Sequence, residues 1–435
     1  MYSARFRSPL MAFALVLLAV VFVVPAASAA TTVEVGTCLP GLVQFTTIQA
    51  AVNQSPDNTT IDVCPGLYPE QVSITHPVTL KGVADPNSTA DAAIIVPPAG
   101  GLVQNATSLS SGTPIAAQIL VQGIASNHPV SLINLTVDGA GNNIGGCAPE
   151  LIGIFFQNAS GTVNTSAVRN EMLAPALNGC QSGLGIFVQS GNSLTSNVTV
   201  ENSSVHTYQK NGITGDEVGT TLTVSNSFVQ GLGMVNPPAA AQNGIQIGFG
   251  AIGSVHGNTV IDQVYGDPVT AASAGILLYD AQTNSNISVS SNNVGNTQIG
   301  IGLYTDDSDP TQYDDGVTVS SNRIYETLNY DAIDACTNSN HITGNIVLNS
   351  AESAIHLDSF CSGNGNNTGT GNVVAGNNVL ESACAGVLQE TGGNTIANSN
   401  HYFDVPQTVL TGACPTGPNK PGKIPTKRGL FRPVR

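Results

Sequence analysis

A short strand that opens Gly-Ile, or a close variant of it, recurs nine times along this chain, and that periodicity restricts the fold more than any other feature. It reads GIFFQ at Gly153, GIFVQ at Gly185, GITGD at Gly212, GIQIG at Gly244, GILLY at Gly275, GIGLY at Gly300, AIDAC at Ala332, AIHLD at Ala354 and GVLQE at Gly386. The spacings are 32, 27, 32, 31, 25, 32, 22 and 32 residues. A second strand follows each first one and ends near an asparagine, in the series Asn170, Asn202, Asn226, Asn258, Asn292, Asn322, Asn345 and Asn377, with Asn134 ahead of it. The two series keep step, as one coil with two strands and turns requires. The shortest period corresponds to one coil, and the longer ones carry roughly ten more residues, which belong in surface loops.

Alternate side chains of a strand share a face. With the Gly counted as zero, positions one and three are mostly Ile, Leu, Val or Phe and are expected to point inward, stacking on the coils above and below. Asparagines at the turns can bond to neighbouring coils as a ladder. A β-sandwich rich in Asn turns leaves the pairing of the two series unexplained. Composition agrees with stacked coils: there is no Trp, only 9% of residues are charged, and Gly numbers 47.

These repeats resemble those of right-handed parallel β-helix proteins of the pectin-lyase-like superfamily. The stretch FTTIQAAVNQSPDNTTIDVCPGLYPEQVSITHPVTLKG, Phe45 to Gly82, is similar to the segment that opens the helix in many of them. The resemblance covers about Phe45 to Asp404. It implies an all-β fold, a single-stranded right-handed parallel β-helix solenoid of about ten coils, with a short N-terminal capping helix. Thr46 and Gln49 are placed to form a capping box, and Ile48, Ala51 and Val52 make its apolar face. The superfamily hosts lyases, hydrolases, esterases, epimerases and non-catalytic proteins, so the resemblance implies a polysaccharide or cell-wall glycan as partner and leaves the reaction open. The chain lacks the Trp- and Arg-containing motifs of pectin esterases and pectate lyases. It also lacks the Gly-His-Gly and Arg-x-Lys elements of polygalacturonases, so no catalytic residue is carried over from them.

The flanks are of different character. Residues 1–29 read as a secretory signal peptide: Arg5 and Arg7, an apolar run from Leu10 to Val24, then Pro25 and Ala27-Ser28-Ala29. The helix domain is expected over 30–414, and 415–435 reads as a basic disordered tail. The body between the flanks has four basic residues, Lys81, Arg169, Lys210 and Arg323, against 28 acidic ones, a formal charge of −24. Nucleic acid is therefore not expected as a partner, since its binding needs basic stripes. The expectation is a secreted, extracellular or periplasmic monomer without a transmembrane segment after signal cleavage. Eight cysteines in an exported chain favour disulfides, and neighbour pairing gives Cys38–Cys64, Cys147–Cys180, Cys336–Cys361 and Cys384–Cys414.

Positions two and four of the Gly-Ile strand point away from the core. In the later coils they place Tyr279, Tyr304, Asp334, His356, Asp358 and Glu390 on one surface. Asp334, His356 and Asp358 are the candidate catalytic residues, while Tyr279, Tyr304 and Glu390 are candidates for saccharide binding, since rings stack on sugar faces and acids move protons. From strand spacings, Asp334 and Asp358 should lie roughly 8 Å apart, a separation suited to inverting glycosidases. The stretch Thr305 to Gly316 holds Asp306, Asp307, Asp309, Asp314 and Asp315, an oxygen-rich loop suited to Ca²⁺. A calcium ion would serve a lyase that has little Arg to neutralise a uronate. The sequence thus supports a polysaccharide hydrolase or lyase, with a non-catalytic carbohydrate-binding or cell-surface protein as the alternative.

Overall fold

The computed structural model describes residues 31–85, 92–125, 127–235, 240–266, 271–282, 286–305, 315–359 and 369–414. The signal peptide and the basic tail lie outside these residues. So do Cys361 and four of the five loop aspartates, Asp306, Asp307, Asp309 and Asp314.

The chain winds as a right-handed parallel β-helix. Three long sheets of 14, 12 and 13 strands are each built from successive coils, and nearly every pair is parallel. One coil runs Ser196–Glu201 in the first sheet, Ser204–Tyr208 in the second and Asn211–Asp216 in the third. The next coil lies on it in register, with Val198 opposite Leu222, Val205 opposite Val229 and Ile213 opposite Ile245. Position one of the repeat forms a continuous buried column in the third sheet: Ile154, Ile186, Ile213, Ile245, Ile276, Ile301, Ile333, Ile355 and Val387. Full burial of each such side chain contributes about 1.5–3 kcal/mol, so the column is a major source of cohesion between coils.

The repeated glycine is required by close approach. A Cβ at Gly185 would lie 2.4 Å from Val205 Cγ1 and 2.6 Å from the carbonyl oxygen of Gly212. Gly212, Gly244 and Gly275 meet the same pair of obstacles, a valine of the second sheet and the carbonyl oxygen of the next coil. At this position the second and third sheets come together too tightly for a side chain.

The asparagine ladder sits at the corner between the first and second sheets. The backbone N–H of Asn258 donates to Asn292 Oδ1, that of Asn292 to Asn322, that of Asn322 to Asn345, that of Asn345 to Asn377 and that of Asn377 to Asn400, at 2.8–3.0 Å. Each amide group also donates to a first-sheet carbonyl of the preceding coil, as Asn322 Nδ2 does to Val289 O at 2.9 Å. The early members of the series behave differently from expectation. Asn134, Asn202 and Asn226 occupy the left-handed corner position, with φ of 53°, 51° and 49°. The inward rung after the latter two is serine, and Ser166, Ser203 and Ser227 continue the ladder through their hydroxyls. Asn170 is not part of it; its amide donates to Asp138 Oδ1. An asparagine tolerates left-handed φ and also bonds well from the inward rung, so spacing alone did not separate the two uses.

The N-terminal helix Ile48–Gln54 buries Ile48, Ala51 and Val52, as its pattern requires. Its cap differs from the expected box. Thr47, not Thr46, is the N-cap and accepts from Ala50 N. The remaining N–H groups of Ile48 and Gln49 donate to the two oxygens of Glu70 at 2.8 and 2.9 Å, which also sets a negative charge at the positive end of the helix dipole. Gln49 is thereby released to bond Ser73 of the first turns. Three of the expected disulfides are present: Cys38–Cys64, Cys147–Cys180 and Cys384–Cys414.

From Ile133 to Asn378 the ladder corner takes only two residues between strands in every coil, as from Ser225 to Phe228 or Ser320 to Arg323, whereas ten residues separate Gly82 from Ala93 at the same corner of an earlier coil. The extra residues fall between second- and third-sheet strands, as from Gln230 to Asn243, and between third- and first-sheet strands, as from Tyr304 to Thr318. Both long connections border the third sheet, which makes its outer face the place where loops and strands converge.

One interior group stands out. Glu171 is fully buried, and neither carboxyl oxygen has a hydrogen-bond partner among the described residues. It occupies space left by Gly139 and Gly153, where an added Cβ would come within 2.5 and 2.8 Å of its oxygens. Burial pushes its carboxyl well above the usual range, and the Asp138 charge adds to this. Its proton is held more tightly in the folded than in the unfolded chain, so its contribution is complete at acid pH and falls as pH rises past the unfolded value. Thermal melts of Glu171→Gln should exceed the parent at about pH 8 and converge with it toward about pH 4. A second prediction tests the ladder. Asn322→Ala strands a backbone N–H and a carbonyl in the interior, and should lower the unfolding free energy by about 2–4 kcal/mol, read from denaturant titration.

Candidate functional site

The outer face of the third sheet changes character along the solenoid. In the early coils it is apolar, with Ile115, Ala117, Leu120, Ile152, Phe155, Leu184 and Phe187 in a second cluster outside the main core. Phe155 and Phe187 stack at 5.1 Å. The connection that follows Leu102 packs over this part: Gln157 Nε2 donates to Thr107 O, and Gln189 bonds Leu109 N, Ser108 and Ser110. In the middle coils the face becomes a buried amide and carboxyl network of Asn211, Thr214, Asp216 and Gln246. In the late coils it becomes a histidine ringed by carboxylates.

Strand register builds that last group. Gly302, Asp334, His356 and Leu388 lie directly opposite one another in successive coils. Tyr304 lies opposite Tyr279. Its ring folds back over Gly302, where an added Cβ would sit 2.2 Å from Tyr304 Cε2. From there the phenol donates to Asp334 Oδ2 at 2.5 Å. His356 Nδ1 meets Asp331 Oδ2 at 3.1 Å and lies 3.8 Å from Asp334 Oδ1. Asp331 is held in turn by Ser353 N on its other oxygen, at 2.9 Å. On the far side of the imidazole, Nε2 faces Glu390 Oε1 at 3.5 Å. Ser359 fixes Glu390 by donating to Oε2 from its hydroxyl at 2.7 Å and its N–H at 3.2 Å.

The electrostatics follow from this packing. Burial opposes charge on His356, but the negative charges of Asp331 and Asp358, with the contacts to Asp331 and Glu390, outweigh it and raise the imidazole well above its ordinary range. The packing favours the protonated form of His356, which carboxylates from three coils surround.

The structure brings Asp334, His356, Asp358 and Glu390 together, and departs from the sequence reading in several respects. The face is buried, not open: Asp334 and Asp358 are 0% and 1% exposed, and Glu390, at 20% for its side chain, is the member that reaches solvent. Oxygens of Asp334 and Asp358 come within 4.8 Å of each other, closer than the 8 Å taken from ideal spacings. Side chains lean toward a shared cation, and strand geometry alone does not include that. Tyr304 is buried against Asp334 and presents no ring to a sugar; Tyr279 remains half-buried, packed on Phe249 with ring centroids 5.7 Å apart. Asp331 was not anticipated. Its only signal was the run Asp331-Ala332-Ile333-Asp334, which precedes the counted positions of the strand. Of the acidic loop, Asp315 lies among the described residues and accepts from Asn338 N at 2.7 Å. A separate groove of about 640 Å³ runs along the corner between the first and second sheets, past Asn134, Ser166, Ser203 and Phe228. Its lining offers one carboxylate, Asp85, and no acid pair.

No protein-family model matches the chain, and no curated protein matches its sequence. Solved structures do match its fold. The chain is similar to a GH136 lacto-N-biosidase from Eubacterium ramulus, with a TM-score of 0.54 at 11% identity over 88% of this chain and 68% of that one. It is also similar to the Dettilon tailspike protein, with a TM-score of 0.52 at 12% identity over 82% of this chain. The match spans 63% of the tailspike chain, less than two thirds of it. At such identities the similarity is one of fold: this is a right-handed parallel β-helix.

The Tyr304 arrangement gives a direct test. Gly302→Ala should displace the Tyr304 ring and free Asp334 from its phenol donor. The expected cost is about 1–3 kcal/mol, with a changed near-ultraviolet tyrosine circular dichroism signal.

Proposed function

We propose that this is a secreted β-helix protein that acts on a polysaccharide, with Glu390 as the group that meets the glycan and His356 as its proton reservoir. The observation that carries the reading is the position of His356, enclosed by buried Asp331, Asp334 and Asp358 and by the solvent-reaching Glu390. A carboxyl group backed by a strongly held proton suits general acid catalysis at a glycosidic oxygen. Asp331 fixes the imidazole through Nδ1, so Nε2 is the nitrogen that would return a proton to Glu390 after transfer. Asp334, locked by Tyr304, is a positioning residue in this scheme. Hydrolysis needs no further group, whereas a lyase needs a cation beside the uronate carboxylate, and neither Lys nor Arg is among the described partners of the cluster.

Secretion is supported by three disulfides. Among the described residues no helix is long and apolar enough to cross a membrane. One observation favours the alternative of a non-catalytic glycan-binding protein. Asp334 and Asp358 are too deeply buried to touch a sugar, which leaves a single accessible acid where glycosidases use two.

The purified mature chain should be screened against plant, algal and microbial polysaccharides for new reducing ends. Glu390→Gln should lower turnover by about 10²-fold or more while glycan binding persists. Glycan binding without release of reducing ends by the parent protein would refute the hydrolytic reading and support the alternative.

A further inference from the structure

The atoms that would carry the proton in the late-coil cluster have a second capacity, exclusive of that transfer while it is in use. A ring nitrogen of His356, a carboxylate oxygen of Asp358 and a carboxylate oxygen of Glu390 all lie within 4.8 Å of one another, and Nε2 is the nitrogen that faces Glu390, at 3.5 Å. His356 is 5% exposed, and its Nε2 has no hydrogen-bond partner among the described residues, although it is aimed at Glu390. A buried ring nitrogen with a well-fixed opposite edge, held by an ion-pair contact at 3.5 Å and by no hydrogen bond among the described residues, is incompletely satisfied. We infer that His356, Asp358 and Glu390 form a binding site for a divalent transition-metal ion of the Zn²⁺ class.

Four physical arguments support this. The first is orientation. Metal-bound histidines characteristically donate their other ring N–H to a carboxylate, and Asp331 takes that place on His356 Nδ1. Glu390 is likewise pre-oriented, since Ser359 holds Oε2 from two directions and leaves Oε1 toward Nε2. The second is charge. Asp331, Asp334, Asp358 and Glu390 surround a single imidazole, and the four basic residues of the body lie elsewhere. Lys210 bonds Ala241 O and Arg169 bonds Asp138, while Lys81 and Arg323 sit on the first and second sheets. A divalent cation supplies the positive charge that the sequence withholds.

The third is donor chemistry. One imidazole nitrogen with two carboxylates suits Zn²⁺ and related first-row ions, whereas Ca²⁺ prefers six to eight oxygens. The fourth is access. Asp358 and His356 are enclosed, but Glu390 opens to solvent, so three protein ligands would leave coordination positions facing outward. Bonds of about 2.0–2.2 Å require the three ligand atoms to close in slightly, which the side chain of Glu390 can do without moving a strand. The bound ion takes the place of the imidazole proton. This site uses the same residues as the proposed glycan chemistry, yet it does not depend on turnover.

The test uses the mature chain freed of metal with a chelator. Zn²⁺ is titrated calorimetrically and Co²⁺ by visible absorption, with Ca²⁺ run in parallel. One equivalent of Zn²⁺ should bind, and Co²⁺ should develop ligand-field bands. Glu390→Gln and His356→Gln should each weaken Zn²⁺ binding by at least about tenfold. Glu390 lies at the surface, so its variant keeps the test decisive if the His356 variant fails to fold, which circular dichroism reports. Absence of Zn²⁺ and Co²⁺ binding by the parent, unchanged affinity in a folded Glu390→Gln, or preference for Ca²⁺ each overturns the site. Zn²⁺ binding without turnover of any glycan supports the site and counts against the hydrolytic reading. Glycan turnover in a protein that binds no Zn²⁺ overturns the site and leaves that reading standing.

Discussion

The stacking of coils depends on what happens at one buried corner. A chain that turns from the first sheet into the second must carry backbone N–H and carbonyl groups into the interior, where an unmade hydrogen bond costs about 1–3 kcal/mol. The side chain from the next coil supplies the missing acceptor, and its amide donates back to a first-sheet carbonyl. Every rung therefore satisfies its neighbour, and no rung is complete alone. Serine fills the same role in the earlier coils with one hydroxyl at 3.2 Å, where asparagine gives 2.8–3.0 Å. From Ile133 to Asn378 this corner keeps its two residues, and length variation among those coils falls at the other two corners.

That constraint reaches the candidate site. Once the coils are in register, every position of the third-sheet strand becomes a column. The inward column is isoleucine for eight coils and produces cohesion. The outward column passes from phenylalanine through glutamine to Asp334 and His356, and it concentrates charge because the same stacking that aligns isoleucines aligns carboxylates. Isolated buried carboxylates are expensive. Here the cost is met by an imidazolium, a phenol donor and backbone N–H groups, in a protein with few cations of its own.

Parallel β-helices support unrelated activities on one scaffold, and a biosidase and a tailspike share this chain's architecture at 11% and 12% identity. The fold supplies a rigid face with rungs at a fixed rise; residues on that face determine what is done with it. In this chain those residues are His356 and its carboxylates, of which Glu390 reaches solvent.

Much of the architecture was legible in the sequence, since a solenoid repeats its physics in every coil. The inward Ile column, the close-packed glycines, the helical cap face and three disulfide pairs all come from local pattern. The candidate residues were found as well, because outward positions can be counted once the coil is known. Their environment could not be counted. Thr46 and Thr47 are equally good caps until Glu70 approaches from a later turn. Asn202 and Asn258 look alike until one adopts left-handed φ and the other turns inward. Tyr304 reads as a sugar platform until Gly302 lets its ring fold onto Asp334. The sequence by itself determined a parallel β-helix with an acid-rich late face. Only the tertiary structure decided that this face is buried around His356, because burial depends on how side chains of adjacent coils fold onto one another, as Tyr304 does onto Asp334, and the repeat pattern does not encode that.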